Sequence, residues 1–151
     1  MNQIRKSQAM RAKDCGFVYI LAEEHSPDRD PGLVKIGFSN CPISRLETLQ
    51  TGNPRRLYIM AAFPAHRSVE KFLHQWLSDF HHRNEWFRYD ERIFLFSDDV
   101  LNYVHDAIDF KGIPKSEILL TTEHVEPIAK TVGKLWPKLY SYPEIVEAED
   151  D

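Results

Sequence analysis

Glu70 and His74 stand four residues apart in a stretch whose apolar residues, Val69, Phe72, Leu73, Trp76, Leu77 and Phe80, fall within one helical arc of about 140°. With Val69 at zero, Glu70 falls at about 100° and His74 at about 140°, at the margin of the buried stripe. A carboxylate and an imidazole placed there can meet a cleft and move protons, or serve as a boundary glutamate near a helix N-terminus and a solvated histidine. Arg45 lies beside Leu46 of another apolar stripe, and its planar, always-charged fork suits a bidentate grip on phosphate oxygens, or plain exposure on a surface helix. Tyr19 sits between Val18 and Ile20 in a β-branched run, so its phenol points away from them, to orient water or to pack with its hydroxyl bonded. Lys35, in Leu33-Val34-Lys35-Ile36-Gly37-Phe38, can contact a phosphate, lower the pKa of a nearby phenol, or stand exposed. Cys15 and Cys41 form neither a disulfide framework nor a CxxC pair, and no ligand spacing joins them to His74, His81 or His82 as a zinc site.

The elements that must position these residues follow from pattern. Gly16 to Leu21 and Leu33 to Phe38 read as two strands, joined by a polar loop over 23–32. Asn40 is a candidate cap for a helix with Pro42 in its first turn, Ile43, Leu46 and Leu49 on one side, and Gly52 as its stop. Leu57 to Phe63 is a third strand and residues 68–81 a second helix. Asn84-Glu85-Trp86-Phe87 is a turn into a short extended piece. Ser97-Asp98-Asp99 opens a third helix over 98–110, and Ile118 to Thr122 is a possible extra strand in a segment punctuated by Pro114, Pro127, Pro137 and Pro143. The expected fold is α+β, with a small three-stranded antiparallel sheet flanked by helices in the order β-β-α-β-α, and a C-terminal extension. The division is a flexible basic arm over 1–14, a domain over 15–97, and a C-terminal helix and extension over 98–151.

Composition narrows the function classes. The 151 residues are 42% hydrophobic and 12% aromatic, which supports a buried core and excludes wholesale disorder. No apolar run reaches the ~18 residues that cross a bilayer, and the N-terminal MNQIRKSQAMRAKD lacks the apolar stretch of a secretory signal, so the expected setting is cytoplasmic. The net charge of −4 is uneven. Residues 1–97 hold 14 Lys+Arg against 11 Asp+Glu, and residues 98–151 hold 5 against 12. That argues against a protein coating nucleic acid non-specifically, yet leaves a local basic face in the first part.

Four pieces in order resemble the GIY-YIG nuclease superfamily, in the phage and bacterial branch with KIG in place of YIG. They are Phe17-Val18-Tyr19-Ile20-Leu21; Val34-Lys35-Ile36-Gly37-Phe38-Ser39; the run from Pro42 through Arg45 to Gly52-Asn53-Pro54; and Glu70-Lys71-Phe72-Leu73-His74 followed by Asn84-Glu85-Trp86-Phe87. The likeness spans roughly residues 16–90. Lys35 stands where the name-giving members have their second tyrosine, and Asn84 where the branch has glycine.

That resemblance implies metal-assisted hydrolysis of DNA phosphodiester bonds. It needs a carboxylate on a divalent ion, a cation for the transition state, and a base or phenol to direct water. Glu70 is the implied ligand of Mg²⁺ or Mn²⁺, Arg45 the transition-state cation, and Tyr19 with Lys35 or His74 the handler of water and its proton. Glu85 is a second carboxylate of the site or a partner of Arg45 or Lys35. Arg55, Arg56 and Arg67 are candidates for phosphates beyond the scissile one. Such small nucleases resemble stand-alone proteins of phages, mobile elements and bacterial defence or repair. A non-cleaving nucleic-acid-binding or regulatory module on the same fold is the alternative. The extension is the segment that would carry a homo-oligomer contact or a protein partner. Its last eight residues hold five carboxylates, which could compete with DNA for the basic face.

Overall fold

Val18 and Ile20, Val34 and Ile36, and Ala61, Phe63 and Ala65 alternate along three extended segments, and that period of two sets which face of the sheet is buried. The computed structural model describes residues 12–24 and 32–139. The segments are β1 (Cys15–Glu23), β2 (Leu33–Ser39) and β3 (Leu57–His66), with β1 paired antiparallel to both neighbours. The expected three-stranded sheet is too small. The sheet has five strands in the order β3-β1-β2-β5-β4, adding β4 (His81–Arg83) and β5 (Trp86–Arg88) outside β2. Those two strands have three residues each and β4 is exposed throughout, so neither has length or alternation enough to announce itself. Asn84 turns the hairpin at φ 53°, a left-handed conformation that asparagine tolerates better than most residues.

Four helices complete the α+β fold: α1 (Pro42–Thr51), α2 (Ser68–Trp76), α3 (Glu91–Asp109) and α4 (Thr122–Leu139). Val69, Leu73 and Leu77 from α2 and its end, Phe96 and Val100 from α3, and Val125, Ala129 and Val132 from α4 join the strand residues in one core. α1 packs over the opposite face, against β1, β2 and β3, without burying any residue completely. Its apolar stripe is correspondingly shallow, and Ile43 is 63% exposed.

Several boundaries move. α2 stops at Trp76 instead of 81, because Leu77 caps it and residues Ser78–Phe80 tighten into a 3₁₀ turn that returns the chain to the sheet at His81. Cys41, not Asn40, precedes α1, with no side-chain cap, while Gly52 does end it. α3 begins at Glu91 because the Asp90 carboxylate accepts from the Arg92 amide at 3.0 Å. The Ser97-Asp98-Asp99 signal therefore lies inside α3, where the Ser97 hydroxyl donates to the Ile93 carbonyl at 2.8 Å. Residues 118–122 make one isolated parallel bridge, Ala65 to Leu120, and then α4 runs through Pro127 and Pro137. The buried side chains of Val125, Ala129 and Val132 outweigh the hydrogen bond missing at Pro127. Residues 1–11 of the basic arm, residues 25–31 of the first loop and the acidic residues 144–151 lie outside the described residues.

Candidate functional site

β5 pairs with β2 only over Leu33, Val34 and Lys35, which leaves a notch in the sheet edge beside Ile36. The peptide groups of Ile36 are used across this notch. Its N–H donates to the Glu85 carbonyl at 3.1 Å, and its carbonyl lies 2.8 Å from His74 Nε2. A carbonyl can only accept, so Nε2 is the donor and Nδ1 is the nitrogen left to face the notch. Glu70 and His74 reach the notch from α2, on the core side of the sheet, and Glu85 reaches it from the turn before β5. Lys35 comes from the other face, its Nζ 2.6 Å from Glu85 Oε1, with a side chain 8% exposed against 40% for Glu85.

Tyr19 is opposite Gly37 in the β1–β2 register and is 1% exposed. The hydroxyl end of its ring occupies the space over that glycine, since a Cβ at residue 37 would stand 2.3 Å from Oη and 2.4 Å from Cζ. α1 brings Arg45 over the same face, close enough for its side chain to act on the phenol. Burial raises the Tyr19 pKa, with Glu85 and Glu70 adding to the effect and Arg45 opposing it.

The two carboxylates divide one proton. Burial, then the charge and hydrogen bond of Glu85, push Glu70 up to about 7. Burial acts on Glu85 in the same sense, but the hydrogen bond and charge of Lys35 prevail, and its carboxyl lies below the ordinary glutamate value. Glu70 is therefore the more basic carboxylate of the pair and Glu85 the more acidic. Glu70, His74 and Glu85 each present one ligand atom, all within 4.8 Å of one another. The two carboxylates are hard oxygen donors of the kind that suit Mg²⁺ or Mn²⁺, and the imidazole beside them is held by a backbone carbonyl through its other nitrogen.

Of the residues singled out from sequence, Tyr19, Lys35, Arg45, Glu70, His74 and Glu85 thus converge. Arg67 joins the rim: its guanidinium stacks over Phe38 at 5.0 Å, sits 3.7 Å from Asp14, and its charge acts on Glu70. Arg55 and Arg56 are elsewhere, at the far end of β1, bridged to Glu23 at 3.3 Å and Glu24 at 3.9 Å. His81 Nε2 contacts the Asn84 carbonyl at 2.8 Å, and neither cysteine joins a metal-capable group among the described residues. Sequence reasoning gave no role to Gly37 or to the Ile36 carbonyl. The Lys-Ile-Gly run holds both, but only the strand register shows what each one faces.

Residues 16–109, more than half of the chain, match the family model of the T5orf172 domain. The chain belongs to the T5orf172 domain family. This corrects the resemblance to the GIY-YIG superfamily: short pieces over 16–90 carried it, whereas the matched T5orf172 unit runs on through α3, whose Phe96 and Val100 complete the core. No curated protein and no solved structure gives a significant match to the chain. Among the described residues no helix is long and apolar enough to cross a membrane.

Proposed function

We infer that the notch of this T5orf172 domain holds a divalent cation, Mg²⁺ or Mn²⁺, and hydrolyses DNA phosphodiester bonds. The observation that carries this reading is the meeting of Glu70, His74 and Glu85 within 4.8 Å at a point where Tyr19, Lys35 and Arg45 arrive from the other sheet face. Its membership of a phage-related family grouped with endonuclease-associated domains supports the same reading. A bound cation would supply Lewis-acid polarisation of the phosphate and a more acidic water. Glu70 is its principal ligand, because Glu85 already shares its charge with Lys35. Arg45, exposed on α1 beside the Tyr19 phenol, grips non-bridging phosphate oxygens and offsets their growing charge. His74 Nδ1 accepts the proton of the attacking water, its ring fixed by the Ile36 carbonyl. Lys35 keeps Glu85 ionised, and Tyr19 holds the Arg45 fork in register.

A second reading, a nucleic-acid-binding module that does not cleave, draws on the 2.6 Å Lys35–Glu85 pair, which neutralises one carboxylate of the cluster with no ion. Nicking of supercoiled plasmid in Mg²⁺, Mn²⁺ or EDTA separates the two. The hydrolytic reading expects nicking that needs the metal and is lost in Glu70→Gln and Arg45→Ala. No cleavage of the plasmid or of a single-stranded oligonucleotide by folded wild-type protein that still shifts DNA would transfer the conclusion to the second reading.

A further inference from the structure

Trp86 follows Glu85 directly, pairs across the strands with Lys35, and holds its ring 5.7 Å from Lys35 Nζ. Beside the indole, between α1 and the β4–β5 hairpin, runs a groove of about 420 Å³. Leu33, Leu49 and Trp86 give it apolar walls, and Thr48, His82 and Arg83 line it with polar ones. Glu23 also lines it, but its carboxylate is occupied by Arg55 at 3.3 Å, the Leu33 amide at 2.9 Å and the Asn53 side chain at 3.4 Å. The charge left to face a ligand is that of Arg83, exposed on β4. An indole flanked by a guanidinium, on the same sheet face as Lys35, offers a stacking surface for a base and a contact for its phosphate. A paired strand turns its bases toward its complement and cannot place one there without flipping it.

The geometry points to this groove as the seat of an unpaired base of the cleaved strand, stacked on Trp86 next to the phosphate in the notch. The substrate class is then single-stranded or splayed DNA rather than continuous duplex. This rests on the hydrolytic reading above. The test is fluorescence anisotropy in EDTA with one labelled strand, alone and annealed as a blunt duplex. Wild type should bind the single strand more tightly. Trp86→Ala should weaken that binding about 5- to 150-fold, as expected for one stacking contact, while Trp86→Phe retains most of it and duplex binding stays unchanged. Thr48→Trp, an exposed position on α1, fills the groove from its other wall and should produce the same selective loss without altering the sheet. Equal wild-type affinity for the two forms, or variants that lower both alike or neither, would overturn the assignment. Equal affinity with metal-dependent nicking intact would remove this inference alone; absence of binding to either form together with absence of metal-dependent nicking would remove the hydrolytic reading with it.

Discussion

Gly37→Ala is the smallest change that tests the geometry of the notch. The added methyl would lie 2.3 Å from Tyr19 Oη and 2.4 Å from Cζ, more than an ångström inside ordinary contact. Tyr19 is 1% exposed, so its ring has no solvent into which to swing. Overpacking of this kind costs about 1–3 kcal/mol, which for a chain of this size lowers the melting temperature by about 2–12 °C. The ring must also move about 1 Å relative to Arg45, and displacements of that size can cost on the order of 100-fold in rate. The assay is thermal and urea unfolding of Gly37→Ala, Tyr19→Ala and the double variant, with plasmid nicking measured alongside. Tyr19→Ala alone should cost about 3–5 kcal/mol, and adding Gly37→Ala to it should cost almost nothing, because the ring that would be struck is gone. A neutral Gly37→Ala, or the same penalty with and without the Tyr19 ring, would refute the placement of the phenol over residue 37.

Three further outcomes follow from the same contacts. Glu70 is raised to about 7, so its proton favours the folded state at low pH, and its contribution to stability falls as pH rises from the ordinary glutamate range through about 7. Glu70→Gln should therefore be more stable than wild type at pH 8 and lose that advantage near pH 5, and unfolding curves at the two pH values check it. Glu85 is shifted the other way by Lys35, so its contribution is present above the unfolded glutamate value and lost as pH falls through its folded value. Lys35→Met should then cost about 1–2 kcal/mol at pH 7, discounted from the fully buried case because Glu85 is 40% exposed, and much less at pH 3 by the same measurement. Glu23→Ala should cost about 1–3 kcal/mol in urea unfolding by stranding the Leu33 amide, Asn53 and Arg55.

How much of this was legible in the sequence depends on the range of the contact concerned. The three long strands and α1 and α2 announce themselves through local periodicity, and the helical arithmetic alone puts Glu70 and His74 at the edge of the buried stripe. The β4–β5 hairpin does not, since His-His-Arg and Trp-Phe-Arg are too short to show a period. That hairpin nonetheless decides the site: it ends beside Lys35, opens the notch, and delivers Glu85 to a lysine fifty residues earlier. Asp90 was readable as a cap, but the more conspicuous Ser97-Asp98-Asp99 obscured it. That Arg55 and Arg56 lie at the far end of β1 from the notch was not legible, because register along β1 and β3 is a tertiary fact. Family assignment from short motifs failed for a related reason: those pieces stop near residue 90, while the T5orf172 unit includes α3.

The central claim is that the notch is a divalent-cation site whose principal ligand is Glu70, and calorimetric titration of Mn²⁺ at pH 8 tests it directly. The account predicts one binding event in wild-type protein, lost in Glu70→Gln while Glu23→Ala retains it. Mn²⁺ binding that is undiminished in folded Glu70→Gln, or absent from folded wild type, would contradict it.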